Sequence, residues 1–252
     1  MSHRARAIPL SFICGAILVG ACVEIPTGTD EVLSFQFNPL PSPSVVVGDT
    51  LRDSSGVVAP ITFTAFNYSG GIVTNPPVRF TAVDRGIRVD SLKGTVIGDS
   101  VRSAARIVAT MKGFNGAVMI AVTLRPDTVV GSNARDSLSY SLTDTAANVS
   151  AGLGVRVIHG PFGSDTAVAS YPVTFRILSP SDTVLAKLVN DNGARSSSDT
   201  TDASGVATRK IKLDVTRLTA LVDSVIVEAR VRYRGASVKG SPVKLVLKVK
   251  PK

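Results

Sequence analysis

Residues 224–234 read Ser-Val-Ile-Val-Glu-Ala-Arg-Val-Arg-Tyr-Arg, and their parity decides the fold. Val225, Val227, Ala229, Val231 and Tyr233 take one set of alternate positions; Glu228, Arg230, Arg232 and Arg234 take the other. A period of two places the first set on one face of a β-strand and the second on the opposite face. The segment therefore presents an apolar face to a core and a charged face to water. Residues 243–250 repeat the device, with Leu245, Leu247 and Val249 facing in and Lys244, Lys248 and Lys250 facing out. Paired as a hairpin, the two strands predict a cationic outer patch of Arg230, Arg232, Arg234, Lys244, Lys248 and Lys250.

The same alternation runs back through the second half of the chain. Leu138, Tyr140 and Leu142 alternate with Ser137, Ser139 and Ser141. Further strands are predicted over residues 154–158, 171–178, 185–189 and 206–213. Seven strands in about 115 residues is the count of an immunoglobulin-like sandwich, in which two antiparallel sheets bury their apolar faces together. The first half follows the same pattern. Ile61, Phe63 and Ala65 alternate with threonines; Val78, Phe80 and Ala82 follow, then Ala105, Ile107 and Ala109, then Val118, Ile120, Val122 and Leu124. Turn formers separate them at residues 68–71, 75–77 and 112–116. No amphipathic helix of ten or more residues is found. The expected fold is all-β, with two tandem immunoglobulin-like sandwiches over residues 44–131 and 132–252. The boundary is placed near Val130-Gly131-Ser132-Asn133, and residues 32–37 are a candidate extra strand of the first sandwich.

Two stretches of the second half carry a family resemblance. Tyr171-Pro172-Val173-Thr174-Phe175-Arg176-Ile177, followed by Thr201-Asp202-Ala203-Ser204-Gly205-Val206-Ala207, resembles the invasin/intimin-type bacterial Ig-like domain. Gly240-Ser241-Pro242-Val243 before the last strand is also similar to Ig-like modules. In the first half, Val47-Gly48-Asp49-Thr50 and Val89-Asp90-Ser91-Leu92-Lys93-Gly94 resemble another bacterial Ig-like class. The resemblance implies the sandwich fold, and by analogy a role in adhesion or envelope interaction. The Asp202-Ala203-Ser204-Gly205 turn also has a local account. Asp202 and Ser204 can bond neighbouring backbone N–H groups, and Gly205 can take a positive φ.

The first 21 residues are read as an export signal. Arg4 and Arg6 make the start positive, and no acidic residue precedes Glu24. Residues 8–19 are largely apolar but too short to cross about 30 Å of hydrocarbon as a helix. Val19-Gly20-Ala21-Cys22 then resembles the bacterial lipobox, which implies cleavage between Ala21 and Cys22 and lipid (palmitate and related chains) on the Cys22 thiol. Cys14 and Cys22 are the two cysteines of the chain. Cys14 leaves with the signal, so no disulfide is expected. Several acyl chains make membrane attachment durable, where one is marginal. Residues 22–43 are read as the lipidated cysteine and a tether stiffened by Pro39, Pro41 and Pro43. Val23, in place of Asp, resembles outer-membrane sorting, so a periplasmic or surface face of the outer membrane is preferred to the inner membrane.

Side-chain chemistry points away from catalysis. His3 and His159 are the two histidines. His3 leaves with the signal, and His159 stands at a strand end before Gly160-Pro161, a rim position without evident partners. Gly98-Asp99-Ser100 matches the start of an esterase block whose downstream Asp-x-x-His is absent. Ser241-Pro242-Val243-Lys244 matches Ser-x-x-Lys, but on a strand rather than the helix that motif needs. Asn190-Asp191-Asn192-Gly193 and residues 199–202 are oxygen-rich, yet lack calcium-loop spacing. The sequence thus assigns no catalytic residue, no metal, no cofactor and no small-molecule substrate.

Charge remains to be explained. Without Arg4 and Arg6 the chain keeps 26 basic and 19 acidic side chains. Residues 30–131 are nearly balanced at 9 and 8, whereas residues 205–252 hold 12 and 3. Outward lysines and arginines protect sheet edges from pairing with other chains. They also suit an anionic envelope polymer, lipid head groups or a protein partner. Nucleic acid is set aside, because aromatic stacking groups are few and the compartment is wrong. The expected function is a non-enzymatic envelope lipoprotein, an Ig-like binding or spacer module held to a membrane through Cys22. The alternative is an accessory or carbohydrate-binding lipoprotein of an envelope enzyme system.

Overall fold

The computed structural model describes residues 31–160, 165–181, 185–215 and 223–252. Residues 1–30, on which the expected signal, Ala21 and Cys22 fall, lie outside the described residues. Among those described, no helix is long and apolar enough to cross a membrane.

The chain begins with β1 (Ser34–Phe37), β2 (Ser44–Val46), β3 (Phe63–Phe66), β4 (Ile72–Val73) and β5 (Arg79–Ala82). The hairpin of β6 (Ile87–Val89) and β7 (Val96–Gly98) precedes the long strands β8 (Arg102–Met111) and β9 (Phe114–Thr123). Next come β10 (Thr128–Asn133), β11 (Arg135–Tyr140), β12 (Leu153–His159), β13 (Thr166–Ala167), β14 (Pro172–Ser179) and β15 (Ala186–Val189). The remainder are β16 (Ser198–Thr200), β17 (Val206–Leu213), β18 (Ser224–Arg230), β19 (Arg232–Tyr233), β20 (Ala236–Ser237) and β21 (Val243–Pro251).

These strands form two units with one plan. In the first, the sheet β1-β3-β4 faces the sheet β2-β9-β8-β5. In the second, β10-β12-β17-β15, extended by β13, faces β11-β21-β18-β14-β16. Each unit begins with a strand divided between its two sheets. β1 pairs with β3 while β2 runs parallel to the last strand, β9. β10 pairs with β12 while β11 runs parallel to the last strand, β21. Splitting the first strand lets one short segment add an edge strand to each of the two sheets.

Alternation supplies the cores. Leu51, Ile61, Phe80, Val96, Ile107, Ile120 and Val122 form the main cluster of the first unit. A satellite of Val32, Ala65 and Met111 closes one end of it. The second core is larger and includes Leu153, Val155, Val173, Phe175, Ile211, Val227, Leu245 and Leu247. Residues 112–113 turn β8 into β9 with φ of +42° and +89°, the two-residue geometry whose twist matches antiparallel strands.

One sequence expectation is met and three change. The candidate strand at residues 32–37 is present as β1 in the first unit, with Val32 already buried, so the tether ends ahead of it. Val130-Gly131-Ser132-Asn133 lies within β10, hydrogen-bonded to β12, so the passage between units is residues 124–127. The strand over 224–234 breaks at Val231, and Arg232 and Tyr233 enter a separate hairpin with β20. Finally, Leu142 is 71% exposed, because the strand carrying Leu138 and Tyr140 stops at Tyr140.

Candidate functional site

Among the described residues, Asp49, at the joint between the units, gathers hydrogen bonds from both of them. It follows β2, whose Val46 is buried in the hydrophobic core of the second unit. Asp49 has a side chain only 4% exposed. Its carboxylate accepts hydrogen bonds from the Thr50 amide (2.8 Å), Arg52 Nη2 (3.1 Å) and, across the joint, Arg234 Nε (2.8 Å). Burial acts to raise its pKa, but the bonds from Arg234, Arg52, the Thr50 amide and Tyr233 outweigh it. Asp49 is therefore held well below the ordinary carboxylate range and stays charged.

Around this bond the two backbones nearly touch. Arg234 and Gly235 form the turn between β19 and β20, with φ of +52° and +81°. A Cβ placed on Gly56 would lie 2.0 Å from the Gly235 nitrogen, and one on Gly235 would lie 2.8 Å from the Ser55 oxygen. Only glycine at both positions allows the approach. Arg52 Nη1 donates to the Gly56 oxygen at 2.9 Å and holds that loop against the joint. Tyr171 donates its hydroxyl to the Arg232 carbonyl at 2.5 Å, and burial pushes its pKa upward. Thr123, at the end of β9, donates to the Ala169 carbonyl of the second unit. A cavity of about 100 Å³ remains, lined by Ser44, Asp49, Tyr171, Arg232 and Tyr233 among others.

His159 belongs to the same region. Its Nδ1 lies 2.8 Å from Asp127 Oδ2 and 2.9 Å from the Arg125 carbonyl, both in the passage between units. Asp127 also accepts from the Gly160 amide at 2.9 Å and pairs with Arg125 at 2.6 Å. Burial opposes these bonds, yet they keep Asp127 below the usual range. His159 thus staples the connecting segment to the end of β12.

The second feature is the outer face of the sheet β11-β21-β18-β14-β16. Glu228 sits opposite Lys244 on one side and Arg176 on the other, and Arg230 Nε lies 2.6 Å from its Oε1. Lys248 stands opposite Ser224 and Ser137, and Lys250 opposite Ser139. Of the six expected cations, Arg230, Lys244, Lys248 and Lys250 share this face. Arg232 and Arg234 do not: the break at Val231 carries them to the β19–β20 hairpin over the joint. Arg135 on β11 and Arg176 on β14 take their place on the sheet. Both belong to strands that only the tertiary fold brings beside residues 224–250. The face thus carries Arg135, Arg176, Arg230, Lys244, Lys248 and Lys250 beside one nearly buried carboxylate, that of Glu228.

The short motifs have structural uses. Asp99 pairs with Arg88 at 2.9 Å. Ser241 Oγ accepts the Val231 amide at 3.0 Å, while Lys244 lies across from Glu228. Asp191 pairs with Lys210, and Asp199 pairs with Arg209 while accepting the Thr208 amide. Asn190 and Asp202 close their own turns.

No family model matches the chain, and no curated protein matches it. Among solved structures, domains 4 and 5 of the S-layer protein SbsC align with 87% of this chain and 99% of theirs, at 14% identity and a TM-score of 0.32. Human protocadherin-24 EC1-2 aligns with 88% of this chain and 100% of its own, at 13% identity and 0.28. Invasin, a bacterial integrin-binding protein, aligns with 87% of this chain and 40% of its own, at 12% identity and 0.28. At such distances the sandwich is established by the pairing of this chain's own strands.

Proposed function

We propose that this chain is a non-enzymatic lipoprotein of the cell envelope. In this reading lipid on Cys22 anchors it, with the outer membrane as the preferred site. The two sandwiches then act as a stiff spacer that presents the cationic face of the second unit to an anionic polymer or protein of the envelope. The observation that carries the reading is the joint. A flexible string of modules would leave residues 124–127 to bend freely. Here Asp49, Arg234 and the Gly56–Gly235 contact fix one unit on the other. Fixed orientation matters for a spacer, because a hinge would lose the height and direction of the exposed face.

The test combines anchor and face. Cells fed a labelled fatty acid should label the wild-type chain and leave Cys22→Ala unlabelled; equal labelling removes the anchor. Capture of envelope polymer should weaken several-fold in Arg176→Glu/Lys248→Glu and fall further at high salt. Unchanged capture removes the cationic face from the reading.

A further inference from the structure

The shortened tether gives the first unit a defined position. Val32 is 3% exposed and packs with Ala65 and Met111, so the chain is fixed to the sandwich from that residue onward. Nine peptide steps separate Cys22 from Glu31. Fully extended, they reach at most about 30 Å, so this end of the unit cannot lie farther than that from a lipid on Cys22.

Three elements meet at this end. Leu33 donates its amide to the Phe66 carbonyl as the chain enters β1. The β3–β4 hairpin brings Tyr68 and Ile72 beside it, and Phe114 stands opposite Met111 at the tip of the β8–β9 hairpin. Leu33 is 39% exposed, Tyr68 57%, Ile72 68% and Phe114 39%. Arg79 pairs across from Thr110 and Lys112 turns β8 into β9, while Asp30 and Glu31 precede Val32 in the sequence. Apolar side chains with a tyrosine among them match the chemistry of a membrane interface. Among the described residues of the second unit, the exposed large apolar groups are Leu142, just past β11, and Leu178, within β14.

We infer that Leu33, Tyr68, Ile72 and Phe114 form a lipid-facing end by which the first unit rests on the bilayer, so that the protein stands on the membrane rather than swinging from its tether. The inference rests on the lipid anchor at Cys22. It adds a second, non-covalent contact that sets the tilt of the rod.

The chain has no tryptophan, so single reporters can be introduced at exposed positions. Full-length Tyr68→Trp, Phe114→Trp and, as the distant control, Leu178→Trp are produced with the signal intact. Each is reconstituted into phosphatidylethanolamine/phosphatidylglycerol vesicles with brominated acyl chains. The expected result is flotation of all three, with roughly half the fluorescence lost from Tyr68→Trp and Phe114→Trp and almost none from Leu178→Trp, since bromine quenches only groups at the acyl boundary. Adding Ile72→Glu to Phe114→Trp should reduce that quenching at least about twofold, because a carboxylate at the rim opposes insertion. Flotation with equally weak quenching at all three positions overturns the lipid-facing end and leaves the anchor standing. If the wild-type chain does not float and behaves as Cys22→Ala does, the anchor fails and this inference with it.

Discussion

Two five-residue turns with nearly the same sequence do different work in the two units. Asp53-Ser54-Ser55-Gly56-Val57 in the first and Asp202-Ala203-Ser204-Gly205-Val206 in the second form the same hydrogen bonds. Each aspartate Oδ1 accepts the amide and hydroxyl of the serine two residues on and the amide of the valine four residues on. Each glycine has a positive φ, +89° and +77°. The surroundings differ. Gly205 lies against its own sheet, with a Cβ there 2.7 Å from the Val157 oxygen, while Gly56 lies against the other unit at Gly235. Local chemistry fixes the shape of such a turn, and tertiary position fixes what it is for.

Alanine at the two glycines should separate these uses most sharply. Gly205→Ala should cost the second unit about 3 kcal/mol in chemical denaturation, from the forced positive φ and the clash with a strand carbonyl. Gly56→Ala should instead leave both cores folded while parting the units, seen as a larger radius of gyration in solution scattering. If Gly56→Ala scatters as wild type does, the joint is not held by that contact. Asp49→Asn comes next. It removes charge-assisted bonds from Arg52 and Arg234, so a loss of about 2 kcal/mol is expected in equilibrium unfolding. Much of the loss should be shared with Arg234→Ala in a double-mutant cycle.

Acid should then affect the two turns alike. The bonds from Ser55 and Val57 lower the pKa of Asp53, as those from Ser204 and Val206 lower that of Asp202. A lowered native pKa stabilises the fold above the unfolded value of about 3.9, and that contribution is lost as pH falls through the native value. Melting temperature should therefore be flat in this respect from neutral pH to about pH 5 and decline below about pH 4. Carboxyl NMR titration should show both aspartates ionising early. The smallest effect is reserved for Ser54→Ala, which matches Ala203 at the second position and makes the two turn sequences identical. Ser54 is exposed, and stability should stay within about 0.5 kcal/mol of wild type.

The period-two pattern made the long strands legible, because a strand with one face in a core must alternate. Thus Val225, Val227 and Ala229 are buried as their parity requires, as are Leu245 and Leu247. Short edge strands such as β13, β16 and β20 escaped, since two or three residues cannot show a period. The cationic face was legible in part. Lys244, Lys248 and Lys250 follow from one strand, but Arg135 and Arg176 required knowing that β11 and β14 share its sheet. Arg234 was misplaced because its positive φ ends the strand, and the Arg-Gly pair before Ala236 was the available sign. Asp49 could not be found by parity at all, as its importance arises from a residue in the other unit.

That pairing has a consequence in time. Asp49 and Arg234 are 185 positions apart in sequence. Synthesis proceeds from the N-terminus, so Asp49 emerges early and waits while nearly the whole chain follows. Until Arg234 arrives, Val46 has no second core to enter and Asp49 lacks its cross-joint partner. The bond is thus a seal of completion: a chain truncated before residue 234 can form its first sandwich yet cannot lock, and it would leave both groups exposed to whatever inspects unfinished proteins.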